Sequence, residues 1–378
     1  MFYIKSIELS NFRCYESFKT EFSPNINIIT GNNAVGKTSL VEAIYFLGVC
    51  KSFKTSDDNE LIRSGKDCLY VKGTLFDDDK QSKIVASLSD KGKRVIVNEK
   101  KYKTLSDYLG FLNIVSFSPS DLRIIKGEPR IKRRFLDVNI GQIDKNYLMN
   151  IINYNKVLKE RNELLKNYES YPRSEELLYL YTSKLISLCK EIIIRRNQFL
   201  KELEPHINMK LKEISALQEE INVYYKPNVY VEDIEKEFNA AVDIDKNAKT
   251  TTKGPHKDDI IFNLNNMDAS VYGSQGQQRS IALAVKLGLA DYIKKINEKI
   301  IIILDDVFGE LDLNRQNQLL QAVCGDSQVF ITTTDASNVN KEIMNKSKVI
   351  KIEDMVKENG WWRKKHYNWK RRNYSFGN

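Results

Sequence analysis

The run Gly31-Asn32-Asn33-Ala34-Val35-Gly36-Lys37-Thr38 constrains this chain more than any other stretch. Before it, Asn27-Ile28-Ile29-Thr30 reads as a short buried strand. After it, Ser39 to Leu47 reads as a helix with Leu40, Ile44 and Leu47 on one face. A glycine-rich turn between strand and helix lets successive backbone N–H groups point into one concavity, and the helix N-terminus adds partial positive charge. Such a cradle suits a polyphosphate. Gly31 through Ser39 would line it, Lys37 would reach the β- and γ-phosphates, and the Thr38 hydroxyl would take one position on Mg²⁺. A turn that binds nothing has no need of the Gly-Lys-Thr ending with both flanks in place. The expectation is a site for ATP or GTP.

The segment Lys299-Ile300-Ile301-Ile302-Ile303-Leu304-Asp305-Asp306 is a continuous apolar run ending in two carboxylates. Strands buried on both faces of a parallel sheet read this way, and ligands gather at their carboxyl ends. Asp305 therefore stands where a carboxylate orients Mg²⁺ and its waters, and Asp306 where one polarises an attacking water. The plainer alternative is a buried strand followed by a solvated turn.

A third segment, Tyr272-Gly273-Ser274-Gln275-Gly276-Gln277-Gln278-Arg279-Ser280, leads into the apolar run Ile281 to Leu287. Ser274, Gly276 and Gln277 at a helix start offer a hydroxyl and bare amides to an anion. One nucleotide rarely needs two separate helix-end cradles from one subunit, so Ser274 and Gly276 are expected to cap a γ-phosphate bound by a second copy. Serine and glycine also start helices that bind nothing. The order of the three segments is what gives this one its meaning.

Together they resemble the ATP-binding-cassette head, and within that class the SMC-like heads of DNA maintenance proteins. The similarity tightens toward the RecF family of recombination-repair proteins. It is carried by Ile4 to Tyr15, Phe117-Ser118-Pro119-Ser120-Asp121-Leu122, Lys126 to Asp137, Tyr154 to Lys166, Gly254-Pro255-His256-Lys257-Asp258-Asp259 and Leu304 to Asp312. It covers residues 1 to about 350 in the family's order.

The resemblance implies an α/β fold: an ABC-type P-loop ATPase head of mixed sheets with flanking helices and an inserted helical arm. It implies a nucleotide-gated homodimer with ATP between Lys37 of one subunit and Ser274 of the other, slow ATP hydrolysis, and binding of single-stranded and duplex DNA at gap junctions. RecR, and RecO through it, would be the partners in loading the recombinase. Asp312 resembles the loop that crosses between subunits, and Phe117 to Asp121 the segment that links nucleotide to arm. Two departures stand out. Asp306 and the run Thr332-Thr333-Thr334-Asp335 occupy places where transporter heads carry glutamate and histidine, and Phe53 replaces a histidine usual in the family. A shorter base and no imidazole suit a switch better than a pump.

Charge needs care before it supports DNA binding. The chain carries +9 formally, but the tail 361–378 holds six of those charges and no acid, so residues 1–360 carry +3. DNA contact by the body then rests on clustering, and the cluster chosen is Arg130, Lys132, Arg133 and Arg134 with Lys126 beside it. A solvated helix start is the ordinary fate of such a run. The tail adds Trp361, Trp362 and Trp369 with interleaved Tyr367 and Tyr374, a mixture that suits stacking on unpaired bases or folding back on the body. The five scattered cysteines have no metal-ligand spacing, which points to a reducing compartment. No opening leader and no apolar run long enough for a bilayer are evident. The expectation is a cytoplasmic, nucleoid-associated protein with no membrane contact.

Residues 1–116 read as strand-rich, with hairpin turns at Asp77-Asp78-Asp79-Lys80 and Ser89-Asp90-Lys91-Gly92-Lys93. From 117 to 222 the pattern is helical: Leu177, Leu178, Tyr181, Leu185 and Leu188 leave a broad apolar face, and Pro205 is expected to break the helix. No heptad is sustained long enough for an extended coiled coil. The expected organisation is a discontinuous head, 1–116 and 223–352, an inserted helical arm, 117–222, and a basic aromatic tail, 353–378. A P-loop kinase is a competing reading, against which the 274–280 motif argues. A head fused to a nuclease has no room for a second catalytic domain. A scaffold that binds ATP and protein partners without touching DNA stays open.

Overall fold

The computed structural model describes residues 2–214, 219–310, 313–323, 325, 327–334 and 344–353. Asp312, Cys324, Asp335 and the tail from 354 onward, each given a role or reading above, lie outside the described residues. The chain divides into two compact units, Met1–Pro119 with Lys299–Asn378, and Ser120–Glu298.

In the first unit the chain runs β1 (Phe2–Phe12), β2 (Tyr15–Glu21), β3 (Ile26–Thr30), α1 (Lys37–Val49), β4 (Cys68–Asp77), β5 (Lys80–Ser89), β6 (Gly92–Val97), β7 (Lys100–Lys101), α2 (Leu105–Tyr108) and β8 (Asn113–Phe117). The second unit holds α3 (Arg123–Lys126), α4 (Pro129–Ile143), α5 (Lys145–Lys166), α6 (Ser174–Ile214), β9 (Ile221–Lys226), α7 (Ile234–Ala240), α8 (Val242–Ala248), β10 (Asp259–Leu264), β11 (Met267–Asp268), α9 (Ala269–Tyr272) and α10 (Gln275–Ile296). The first unit then resumes with β12 (Ile300–Asp305), α11 (Leu313–Val323), β13 (Gln328–Thr333) and β14 (Ser347–Lys351).

Two sheets build the first unit. One is antiparallel, ordered β2-β1-β4-β5-β6-β7; the other is parallel, ordered β14-β3-β13-β12-β8. The antiparallel strands alternate, with Ile84, Ala86 and Leu88 buried while Lys83 is exposed. The parallel strands do not: β3, β8, β12 and β13 are buried at every position, as a sheet covered on both faces requires. The helix α1 packs against strands of both sheets and is buried nearly all round, which explains why its sequence is apolar on every side. Gln328 joins the sheets: its buried amide accepts from the Ile4 N–H at 2.8 Å and donates to the carbonyls of Ile4 and Ser23, both at 2.8 Å.

The second unit is helical around a small sheet of its own, ordered β11-β10-β9. The boundaries by proximity fall at 120 and 298, not at the 117 and 222 expected from sequence. The reason is local: β9 packs on α6, β10 on α4, and α10 runs along α6. The expected break at Pro205 does not occur, since α6 continues through it to Ile214. An internal proline costs a helix about 3 kcal/mol. Here the flanking turns are held by packing, with Leu203 and Ile207 fully buried. Gly288 of α10 lies so close that a Cβ there would stand 2.8 Å from the Ile207 nitrogen.

Candidate nucleotide-binding site

The parallel register aligns Asp305 of β12 with Thr332 of β13, and Thr333 of β13 with Thr30 of β3. The carboxyl ends of three neighbouring strands therefore meet where β3 gives way to the glycine-rich loop, the place where open α/β sheets bind ligands. Positive φ angles at Gly31, Ala34 and Gly36, of 151°, 65° and 114°, turn the loop back into the start of α1. Gly36 has a second constraint. A Cβ there would lie 2.8 Å from Tyr15 Oη and 2.9 Å from Cys14 Sγ, and the Tyr15 hydroxyl donates to the Gly36 carbonyl at 3.0 Å.

Lys37 is buried at 7% exposure, and its ammonium donates to the carbonyls of Gly31 at 2.7 Å and Asn32 at 2.9 Å. Burial lowers its pKa, opposed by the carboxylates of Asp306, Asp305 and Glu353. The charges of three carboxylates thus act on one lysine. Asp305 is buried and its pKa is raised by desolvation, against hydrogen bonds from Thr332 and Thr38 and the charge of Lys54. The Thr332 hydroxyl donates to Asp305 Oδ1 at 2.8 Å and accepts from the Asp306 N–H at 2.9 Å. Asp306 itself has φ of 55° and is exposed, so its carboxylate leaves the strand line toward solvent.

Two residues here were not singled out from sequence. Lys54 is placed by a turn in which Ser52 Oγ accepts from the Lys54 and Thr55 N–H groups at 2.9 and 3.0 Å. Ser52 is tied in turn to Glu42, which takes a bidentate pair from Arg13 at 2.9 Å. Phe53, in the family's histidine place, stacks edge-on against Tyr45 at 5.4 Å. The second residue is Glu353, whose Oε1 accepts from the Asn32 N–H at 2.9 Å. A one-letter pattern signals neither Lys54 nor Glu353, because each depends on a contact made by folding.

In the second unit, Ser274 is the N-cap of α10. Its Oγ accepts from the Gln277 N–H at 3.2 Å, and Gln277 Oε1 accepts from the Ser274 N–H at 2.8 Å, completing a capping box. The Ser274 hydroxyl keeps a proton to donate outward. Ser274, Gln275 and Gly276 line the open start of α10, and a Cβ on Gly276 would meet nothing within 4 Å. Beside them Val271 and Tyr272 are 68% and 69% exposed. The helix start is open and rimmed by apolar surface.

The basic cluster on α4 is split by its packing. Lys132 is buried, donating to the Ile260 carbonyl at 2.7 Å and pairing with Asp259 at 3.4 Å. Arg133 donates to the Asp258 carbonyl at 2.7 Å, and burial lowers its pKa. Arg134 is half-buried, and only Arg130 of the four is exposed, with Lys126 nearby in sequence also exposed. Among the described residues no helix is long and apolar enough to cross a membrane.

The RecF/RecN/SMC N terminal domain family matches residues 3–358. The DNA replication and repair protein RecF of Bacillus thuringiensis (strain Al Hakam) is 38% identical over 93% of this chain and 96% of its own. RecF of Lactobacillus johnsonii is 37% identical over 93% and 97%. Among solved structures, the recombination mediator protein RecF-ATP in the RecFOR pathway superposes with a TM-score of 0.83 at 35% identity, covering 90% of this chain and 94% of that one. A Pyrococcus furiosus Smc head with an extended coiled coil shares the fold alone, with a TM-score of 0.50 at 16% identity over 93% of each chain. The architecture is that of an SMC-like, ABC-type P-loop ATPase head with a helical insertion. On this evidence, the chain belongs to the RecF family.

Proposed function

We propose that this chain is an ATP-dependent DNA-binding protein of recombinational repair and replication, working as a nucleotide-gated dimer. The observation that carries the reading is the convergence of Lys37, Thr38, Asp305 and Asp306 at the ends of adjoining parallel strands. The residues fit a magnesium nucleotide. Thr38 and Asp305, already hydrogen-bonded, would hold Mg²⁺, and the ion when bound neutralises charge on the transferred phosphoryl group. Lys37 and the loop amides bind and orient the phosphates. Asp306, exposed one residue past the strand, takes the proton of the attacking water.

The second cradle, at Ser274 and Gly276, faces solvent in the single chain. A second copy supplies it with a nucleotide under two-fold symmetry, and the exposed Val271 and Tyr272 are then covered. ATP has differential affinity for the closed dimer, which presents DNA-binding surface on both copies; hydrolysis removes the bridging phosphate and lets it open. The helix-start contribution to DNA falls chiefly to Arg130, since Lys132 and Arg133 hold α4 on β10. The solved relatives named for the RecFOR pathway support RecR and RecO as partners in loading the recombinase at gaps.

The test is retention on gapped duplex DNA, with and without ATP, for the wild type and Lys37→Met. Retention that requires both ATP and Lys37 supports the reading. Equal retention by Lys37→Met with ATP removes nucleotide gating from it.

A further inference from the structure

With Lys132 and Arg133 taken up by packing, exposed positive charge concentrates elsewhere. Residues 80–103 hold eight lysines and arginines against Asp90 and Glu99, a net +6, while residues 1–360 as a whole carry only +3. The remainder of 1–360 is therefore net negative. The positive segment is a single piece of structure: β5, β6 and β7, the outer edge of the antiparallel sheet.

Strand alternation sorts its side chains. Ile84, Ala86, Leu88, Val95 and Val97 point inward and are buried. On the outer face the register sets Ser87 beside Arg94, Val85 beside Ile96, and Ile96 beside Lys101. Lys80, Lys83, Lys91, Arg94, Lys100, Lys101 and Lys103 are all exposed. None of these seven makes an ion pair with a described residue, whereas Lys93 is paired with Asp58 and Lys72, inward along the sheet, with Glu8. Next to β7 lies a concavity of about 180 Å³, lined by Arg94, Lys101, Tyr102, Lys103 and Thr104 among others. The acid that follows in sequence, Asp107, is engaged locally: its carboxylate accepts from the Thr104 hydroxyl at 2.8 Å.

We infer that this edge, centred on Arg94, Lys101 and Lys103, is a docking surface for the phosphate backbone of duplex DNA. The inference rests on the DNA-binding reading above and places a surface for it in the first unit. Charge complementarity identifies the partner. Seven cations that pair with no described carboxylate, on one sheet edge, match a polyanion of regular charge spacing. Duplex is favoured over single strands because unpaired bases are gripped by rows of exposed aromatic platforms, whereas among the described residues here Tyr70 is exposed at 43% while Phe76, stacked on Tyr3, and Tyr102 are half-buried. Such a surface positions the protein on a duplex and reads no sequence.

The test measures duplex affinity against salt, with ATP present, for the wild type, the triple variant Arg94→Gln/Lys101→Gln/Lys103→Gln and a charge-matched control. The control, Lys156→Gln/Lys159→Gln/Lys190→Gln, removes three exposed charges from α5 and α6. Each lost phosphate contact lowers the salt slope by about 0.9. The triple variant is expected to lose two to three contacts' worth of slope and on the order of tenfold in affinity, with the control near wild type. A triple variant with the wild-type slope overturns the surface while leaving DNA binding standing, as it would if the patch served an acidic protein. An equal loss in the control also overturns it, as an effect of net charge. A wild type that does not bind duplex with ATP sinks the functional reading itself.

Discussion

The carboxylate of Glu353 accepts a hydrogen bond from the Asn32 N–H at 2.9 Å, although 321 residues separate them. The contact brings a negative charge from beyond β14 onto the mouth of the phosphate loop, where it also acts on Lys37. A bound polyphosphate is repelled by that charge. Glu353→Gln keeps the acceptor and removes the charge, so nucleotide should bind tighter by about two- to fivefold at low salt, the gain shrinking as salt rises. Titration of a fluorescent ATP analogue reads this directly. An affinity unaltered at low salt would show that the carboxylate is too well screened to matter.

Asp306 lies in the left-handed region at φ 55°, a conformation that asparagine adopts as readily as aspartate. Asp306→Asn should therefore leave thermal unfolding and ATP binding unchanged while slowing hydrolysis by roughly a hundredfold or more, the usual scale for losing a general base. Wild-type turnover in a folded Asp306→Asn protein would move the base to another residue.

Arg196 sits fully buried in the second unit, with Nε donating to Tyr147 Oη at 2.9 Å and the two terminal nitrogens donating to the Pro255 carbonyl, Asp258 and Asp137, each at 2.8 Å. Removing it leaves the buried Asp258 carboxylate without its paired cation, although the Tyr225 hydroxyl and the Asn228 N–H still donate to it. Arg196→Met is expected to cost about 3–5 kcal/mol in urea unfolding. Arg196→Lys should recover little, because one ammonium cannot serve acceptors arranged for a planar fork. A loss below about 1 kcal/mol for Arg196→Met would mean that the carboxylates are hydrated.

His256 accepts from the Tyr154 hydroxyl through Nδ1 at 2.7 Å and donates through Nε2 to the Thr251 carbonyl at 3.0 Å. Burial holds its pKa down to about 4, helped by the charges of Lys257 and Arg133 and opposed by the Thr251 carbonyl and Asp245. The unfolded chain binds this proton near pH 6.5, so the folded form is at a disadvantage once the pH drops below that value. The His256 contribution is complete above about pH 6.5 and is lost progressively down to about pH 4, a fall of about 3 kcal/mol. Comparing urea unfolding of the wild type and His256→Gln at about pH 7 and about pH 4.5 isolates it from the carboxylates. Parallel pH profiles for the two proteins would show that the ring is solvated.

The parts of the fold legible in sequence were those whose pattern is local. The all-apolar strand before Asp305, the helix after Lys37 and the hairpin turns at 77–80 and 89–93 each follow from a few neighbouring residues. What was not legible depended on distant partners. Pro205 reads as a stop, yet α6 passes through it because α10 presses on that turn at Gly288. The charges at 130–134 read as one cluster, but α4 turns Lys132 toward β10 and leaves Arg130 outside. Lys54 and Glu353 reach the site only through folding, one by the Ser52 turn and the other by the return of β14 beside β3.

The central claim is that each nucleotide is shared between the Lys37 loop of one copy and the Ser274 helix start of another. Mixing two inactive variants tests it. Ser274→Arg places a bulky cation at the second cradle and leaves its own Lys37 site intact; Lys37→Met does the reverse. In a mixed dimer one site combines both substitutions and the other is wholly native. Each variant alone should show background ATPase, and an equal mixture should recover about a quarter of wild-type turnover, since half of random dimers are mixed and each carries one native site. Turnover at the wild-type rate by Ser274→Arg alone, as a monomer, would show that one chain completes the site, and the shared-nucleotide account would be wrong.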